Sequence, residues 1–261
     1  MSEYKDDLDK MIWSFSRLHL YEQCPYAFYL KYIEGREDEQ NFYAENGSAM
    51  HSTFEGLLNH ELTLEDAPGY YMEQFECIDS DGISDNTREN IFGKCLNYLC
   101  SVDSGFEEKY EILGVELKCS FKVGRKEFRG FIDLLMRNRK TNEIIVLDHK
   151  SADHFLKKNG EPLKNREDDF KAYKHQMYLY CKGVYEQYKQ FPSKIMWHHF
   201  KDDGKLTVID FNMSDYEETI QWAKDLVKQI YKDKDFAEMK SYMMCKQLCG
   251  FRNNCDYKDE E

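Results

Sequence analysis

The clearest pattern along this chain is a strict alternation. Val115, Leu117, Cys119, Phe121 and Val123 alternate with Glu116, Lys118, Ser120 and Lys122, which predicts a strand with one buried and one wet face. Val123-Gly124-Arg125 turns the chain into a second strand, Phe128–Arg137. The polar stretch Arg137–Asn142 reads as a turn, and Glu143-Ile144-Ile145-Val146-Leu147 as a third β-type run. Helical spacing dominates elsewhere. Residues 1–12 read as a frayed lead-in, Ser14 as the N-cap of an aromatic helix, and Pro25 as the restart of a helix running to Ile33. Gly47-Ser48-Ala49-Met50-His51 opens the next helix, and Glu89–Cys100 carries a stripe of Ile91, Cys95, Leu96 and Leu99. Asp168 or Asp169 caps a helix with the stripe Phe170, Tyr173, Met177, Tyr180 and Val184. Lys194–Phe200 and Lys205–Asn212 form a hairpin around Asp202-Asp203-Gly204. Ser214 or Asp215 caps the last long helix. Helix, three strands, helix, strand predicts a mixed α/β fold with a crossover helix.

Composition narrows the setting. A chain of 261 residues suits one domain with a helical insertion. No apolar run is long enough to span a bilayer, and Met1–Asp7 lacks the apolar region of a signal peptide. Nine cysteines without such a signal argue for reduced thiols or metal ligands and a cytoplasmic location. The net charge of −13 means that any polyanion must be met by a local basic groove on an acidic body.

Alternation puts Asp148 and Lys150 on one face of their strand and His149 on the other. Pairing that strand with its neighbour brings Asp133 close to Asp148. Carboxylates this close repel unless a cation lies between them. Hard oxygen donors favour Mg²⁺ or Mn²⁺, which activates water and neutralises phosphodiester charge, while Lys150 stabilises the reacting phosphate. A salt-bridged hairpin is the plain alternative. His51 shares a stripe with Phe54 and Leu58, where a core histidine is ordinary, and Glu116 could approach the metal but reads first as an exposed strand residue. Lys157, Lys158, Lys164 and Arg166 belong either to a solvated loop or to a basic flap. Cys77, Cys95 and Cys100 lack metal-ligand spacing and read as buried thiols. The tail Cys245-x3-Cys249-x5-Cys255, with Cys24 remote, lacks the paired knuckles of zinc sites. An iron–sulfur cluster, zinc and spare thiols all remain open.

The spacing of Asp133 and Asp148-x-Lys150 resembles the PD-(D/E)XK nuclease superfamily. Gly47-x-x-x-His51, Gln176-x-x-x-Tyr180, and Tyr21–Leu30 with the tail cysteines are similar to the RecB-like nucleases of the iron–sulfur branch. That branch includes the CRISPR-associated exonucleases and the nuclease domain of the AddB helicase subunit. The resemblance implies a restriction-endonuclease-like core within one nuclease domain. Residues 13–60 would be its N-terminal helices, 61–108 a helical insertion, 109–212 the catalytic core, and 213–261 the last helix and an iron–sulfur tail. It implies that His51, Asp133, Asp148 and the His149 carbonyl hold Mg²⁺ or Mn²⁺, and that Lys150 assists the attacking water. Gln176 and Tyr180 would orient Lys150 and DNA, and Cys24, Cys245, Cys249 and Cys255 would hold a [4Fe–4S] cluster. The implied activity is DNA exonucleolysis, on single-stranded ends, alongside a CRISPR integrase or a helicase. Lys157, Lys158, Lys164 and Arg166 would then face the DNA. The alternative from another class is a non-catalytic DNA-binding adaptor in such a complex.

Overall fold

The N-terminal segment expected to fray is instead a helix, α1 (Lys5–Lys10). Leu8 is fully buried, and Asp9 accepts from the Tyr231 hydroxyl at 2.7 Å and pairs with Lys126 at 2.9 Å. The computed structural model describes residues 4–80, 82–102, 105–157, 160–239 and 244–257. Ser14 caps α2 (Phe15–Gln23) by accepting the Arg17 N–H at 3.2 Å. Extended backbone at Cys24 ends that helix, and Pro25 starts α3 (Pro25–Tyr32) at its first position. Helix α4 (Phe42–Leu58) begins before Gly47, which lies inside it and does not open it. Phe42, Asn46, Met50 and Phe54 face inward at helical spacing and carry the start upstream.

Helices α5 (Ala67–Glu76), α6 (Asp85–Leu99) and the single turn α7 (Phe106–Lys109) follow. Strands β1 (Tyr110–Val123), β2 (Lys126–Asn138) and β3 (Ile144–Lys150) come next. Helix α8 (Glu167–Tyr188) then leads to β4 (Lys194–His199), β5 (Lys205–Asp210) and α9 (Met213–Lys232). The expected aspartate cap of α8 does not form, because a 3-10 turn over Lys164–Arg166 enters the helix with Arg166 at the cap position. The five strands form one mixed sheet in the order β1-β2-β3-β4-β5. β3 pairs antiparallel with β2 and parallel with β4, and β4 pairs antiparallel with β5. Among the described residues no helix is long and apolar enough to cross a membrane.

These elements divide into two compact units, each discontinuous in sequence. The first takes Met1–Asn41, Ser120–Gly130 and Ser214–Glu261. Its core is aromatic: Phe28 stacks with Trp13 and with Phe236, and meets Tyr21 edge to face. Trp13 is fixed by backbone bonds to Glu127 and Arg129, both 2.8 Å long. The tail is tied to the residues after α3. The Glu39 N–H donates to the Gly250 carbonyl (2.9 Å), and the Asn41 amide donates to the Leu248 carbonyl (3.0 Å).

The second unit takes Phe42–Cys119 and Phe131–Met213. In it α4, α5 and α6 pack Phe54, Tyr71, Phe75, Ile91 and Cys95 together, while Leu134, Met136, Ile145 and Leu147 form a sheet core. Cys95 is buried as expected, but Cys77 and Cys100 are exposed, since each sits at a helix C-terminus.

Gly204 turns β4 into β5 with φ +67°. A Cβ there would run into the Tyr98 ring, whose hydroxyl bonds His198 Nε2 at 2.6 Å. Overpacking of this kind costs about 1–3 kcal/mol, with left-handed strain added. Gly204→Ala should therefore lower the denaturant midpoint clearly. Combined with Tyr98→Ala it should destabilise by less than the sum of the two single changes. A Gly204→Ala midpoint equal to wild type would show that this packing is misread.

Candidate active site

The active-site candidate grows from the β2–β3 register. Leu134 pairs with Leu147, and one position beyond them lie Asp133 and Asp148. The His149 N–H donates to Asp133 Oδ2 at 2.7 Å, and His51 Nε2 lies 3.1 Å from the His149 carbonyl. A carbonyl only accepts, so Nε2 carries the hydrogen. Nδ1 of His51 is thereby turned toward Asp133 Oδ2 (3.4 Å) and Glu116 Oε1 (3.8 Å). Among the described residues, His51, Glu116 and Asp133 form the one group of three whose ligand atoms lie within 4.8 Å of one another. One imidazole nitrogen and two carboxylates suit a hard divalent cation such as Mg²⁺ or Mn²⁺.

Lys150 completes the group. Its ammonium is 2.6 Å from Asp148 Oδ2, donates to Gln176 Oε1 at 2.9 Å, and stands 4.6 Å over the Tyr173 ring. Gln176 in turn donates to the Tyr180 hydroxyl at 2.9 Å, as the four-residue spacing on α8 allows. The side chain of His149 points away from the acids, stacked on Phe54 at 4.5 Å, with its Nδ1 2.7 Å from Nδ1 of His198.

Charge and burial are in tension here. Burial, then the neighbouring Asp148, pushes Asp133 up to about 7. Burial works against a charged His51, but Glu116, Asp133 and Asp148 outweigh it and raise its pKa. Lys150 is likewise opposed by burial, yet Asp148 holds it above its ordinary value. Burial, then His198, keeps His149 neutral, and His198 itself is pushed down to about 3.

The sequence reading ranked Glu116 near the metal second and missed two further contributors. Glu116, read as an exposed strand residue, stands half-buried beside His51 because its backbone is left-handed (φ +46°). The strict alternation holds only from Cys119 to Val123. The available signal was Gly114, where a Cβ would lie 3.1 Å from the Leu117 side chain, since glycine within a strand marks a break in the pleat. Tyr173 and His198 were hidden on apolar patterns.

Lys157 pairs with Glu161 and Arg166 with Asp169, Lys164 is exposed, and Lys158 lies outside the described residues. Cys24, Cys245, Cys249 and Cys255 all belong to the first unit, but among the described residues no three of their sulfurs lie within 4.8 Å of one another. The Cys249 thiol is pushed up by burial, and Cys24, Cys255 and Cys245 all bear on it. Cys24 Sγ accepts the Ala27 N–H and Cys249 Sγ the Phe251 N–H, each at 3.4 Å, and Cys255 receives a backbone bond from Tyr257.

A family model described as the PD-(D/E)XK nuclease superfamily matches residues 12–256. Among solved structures the chain is similar to a proposed exonuclease from Eubacterium rectale, with 15% identity over 99% of this chain and 91% of that one and a TM-score of 0.53. That is a likeness of fold. The crystal structure of SSO0001 matches at 15% identity over 93% of this chain and 95% of that one, with a TM-score of 0.34. No curated protein matches the sequence.

A carboxyl that keeps its proton to about pH 7 in the fold, against an ordinary 3.8, binds protons on folding. The stability of the metal-free protein should therefore fall as pH rises from about 4 to about 7. The contribution of His51 is lost as pH climbs through its raised value, so it acts in the same direction. Asp133→Asn should flatten this slope and raise the melting temperature of metal-free protein at pH 8. The same change should remove any stabilisation by added Mn²⁺. An Asn variant that melts below wild type at pH 8 while still responding to Mn²⁺ would contradict the assignment.

Proposed function

The chain belongs to the PD-(D/E)XK nuclease superfamily, and we propose that it is a divalent-metal-dependent deoxyribonuclease acting as an exonuclease on single-stranded DNA ends. One observation carries the reading: His51, Glu116 and Asp133 converge beside an ammonium that is itself held by Asp148 and Gln176. A salt-bridged hairpin has no use for that convergence.

Asp133, Asp148, Glu116 and His51, with the His149 carbonyl, would hold Mg²⁺ or Mn²⁺. When bound, the cation supplies Lewis acidity and neutralises phosphodiester charge. The protein's own groups do the rest. The His149 N–H fixes the Asp133 carboxylate, and the Nε2–H bond to the His149 carbonyl fixes the ring of His51. Asp148 keeps Lys150 charged, and Lys150 offers that charge to the attacking water and to the negative charge growing on the phosphate. Gln176 and the Tyr173 ring restrict where the ammonium sits. The Tyr180 oxygen accepts from Gln176, which leaves its own O–H free to donate to the DNA backbone.

The motif set extends the reading to the RecB-like iron–sulfur branch, with Cys24, Cys245, Cys249 and Cys255 holding a [4Fe–4S] cluster. Its support is a shared neighbourhood of four thiols in which three sulfurs already accept backbone N–H groups, the pattern that stabilises cluster thiolates. DNA end processing in recombination, repair or CRISPR spacer acquisition is the corresponding setting, with a helicase or a CRISPR integrase as partner.

Asp133→Ala and Lys150→Ala should each reduce cleavage of labelled single-stranded DNA by at least about a hundredfold with the fold intact. Wild-type protein that leaves single- and double-stranded DNA uncut with both Mg²⁺ and Mn²⁺ would point to a DNA-binding adaptor instead. Cys24→Ser should bleach the brown colour expected of anaerobically purified protein and lower its melting temperature. Cys181→Ser, in the buried face of α8, should keep full iron. Zinc in place of iron in the anaerobic wild type would remove the cluster assignment.

A further inference from the structure

The first unit holds a groove of about 750 Å³ that the chemistry above does not use. Its lining is apolar at Tyr231 and at the buried Val123, Phe128, Ala223 and Val227, and it carries seven lysines and arginines with no carboxylate among the lining residues. That is a strong local inversion on a chain of net charge −13. Three of the cations are partly neutralised. Lys126 and Lys5 share Asp9, and Lys228 pairs with Asp225 at 2.8 Å. Arg125, Lys224, Lys232 and Lys234 form no ion pair with any other described residue and are therefore available to a ligand.

Their arrangement selects among anions. A single phosphate is gripped by donors converging on one point. Here Lys224, Lys228 and Lys232 follow one another every four residues along α9, about 6 Å of helix axis apiece. Arg125 adds a charge from the turn between β1 and β2. A row of cations beside an apolar lining fits a string of regularly spaced negative charges carrying weakly polar groups between them. We propose that this groove binds the sugar–phosphate backbone of a DNA strand, with phosphates on the α9 lysines and sugars and bases against the groove's apolar lining. The proposal rests on the nuclease reading for the identity of the polyanion. It also moves the DNA contact away from the Lys157–Arg166 loop, where two cations are already spent on Glu161 and Asp169.

The test uses the full chain, a fluorescein-labelled oligo(dT) probe in EDTA, and anisotropy titrations over a range of salt. Arg125→Glu, Lys224→Glu and Lys232→Glu are combined in one variant. The milder set Arg125→Gln, Lys224→Gln and Lys232→Gln guards against a reversal that fails to fold. Reversal should weaken binding at least about tenfold, and each lost phosphate contact should flatten the log–log salt slope by about 0.7. Both variants should retain hydrolysis of bis(p-nitrophenyl) phosphate, an ester too small to span the groove. A folded Gln set with wild-type affinity and salt slope would overturn the groove while leaving wild-type DNA cleavage, and thus the nuclease reading, standing. Groove-dependent binding by a wild type that cuts neither DNA nor the small ester would sink the nuclease reading and keep the groove. Polyglutamate displacing oligo(dT) more strongly than unlabelled oligo(dT) does would overturn the DNA assignment in favour of an acidic protein segment.

Discussion

Asp133 and Asp148 are 8% and 1% exposed and lie across one strand pairing from each other, so the second unit is built around an unresolved repulsion. Water cannot screen the two carboxylates, and burial together with the charge of Asp148 pushes Asp133 up to about 7. The neighbouring residues answer with positive charge or with room for it. Lys150 meets Asp148, while ligand atoms of His51 and Glu116 lie within 4.8 Å of Asp133, where a cation could join them. Filled with protons the arrangement is inert, and filled with a divalent ion it is a centre for phosphodiester chemistry.

Precision in that centre comes from main chain more than from side chains. The N–H of His149 holds one carboxylate, and its C=O holds the histidine of α4. The His149 ring is wedged on the far side between Phe54 and His198, with Tyr98 behind His198. The parallel β3–β4 pairing sets His149 against His198, so the sheet itself fixes the peptide at which the ligands meet. This explains why a glycine at the β4–β5 turn, packed against Tyr98, bears on residues that it never touches.

Much of this was legible in the sequence, for identifiable reasons. Asp148 and Lys150 follow from period-two alternation in a short apolar strand, and Gln176 and Tyr180 from helical spacing. Ser14 and Pro25 act through local backbone preferences that need no tertiary context. What escaped depends on backbone conformation or on distant partners. Glu116 reaches its place through a positive φ that an alternation rule cannot register. Helix α1 is held because Asp9 finds partners in Lys126 and Tyr231, more than a hundred residues away. The division into Met1–Asn41 with Ser120–Gly130 and Ser214–Glu261 cuts across any boundary drawn in chain order.

That interleaving has a consequence for biosynthesis. The second unit draws only on residues between Phe42 and Met213, and so has all its parts once that stretch has left the ribosome. The first unit does not. Its opening helices emerge early, with Trp13, Phe28 and Tyr21 uncovered, and must wait for Phe236 and the tail that begins at Ser214. At typical elongation rates of about 5–20 residues per second, that wait is roughly ten seconds or more. Through that interval the nascent chain carries an exposed aromatic surface, a natural landing place for chaperones and the stage at which misassembly would begin.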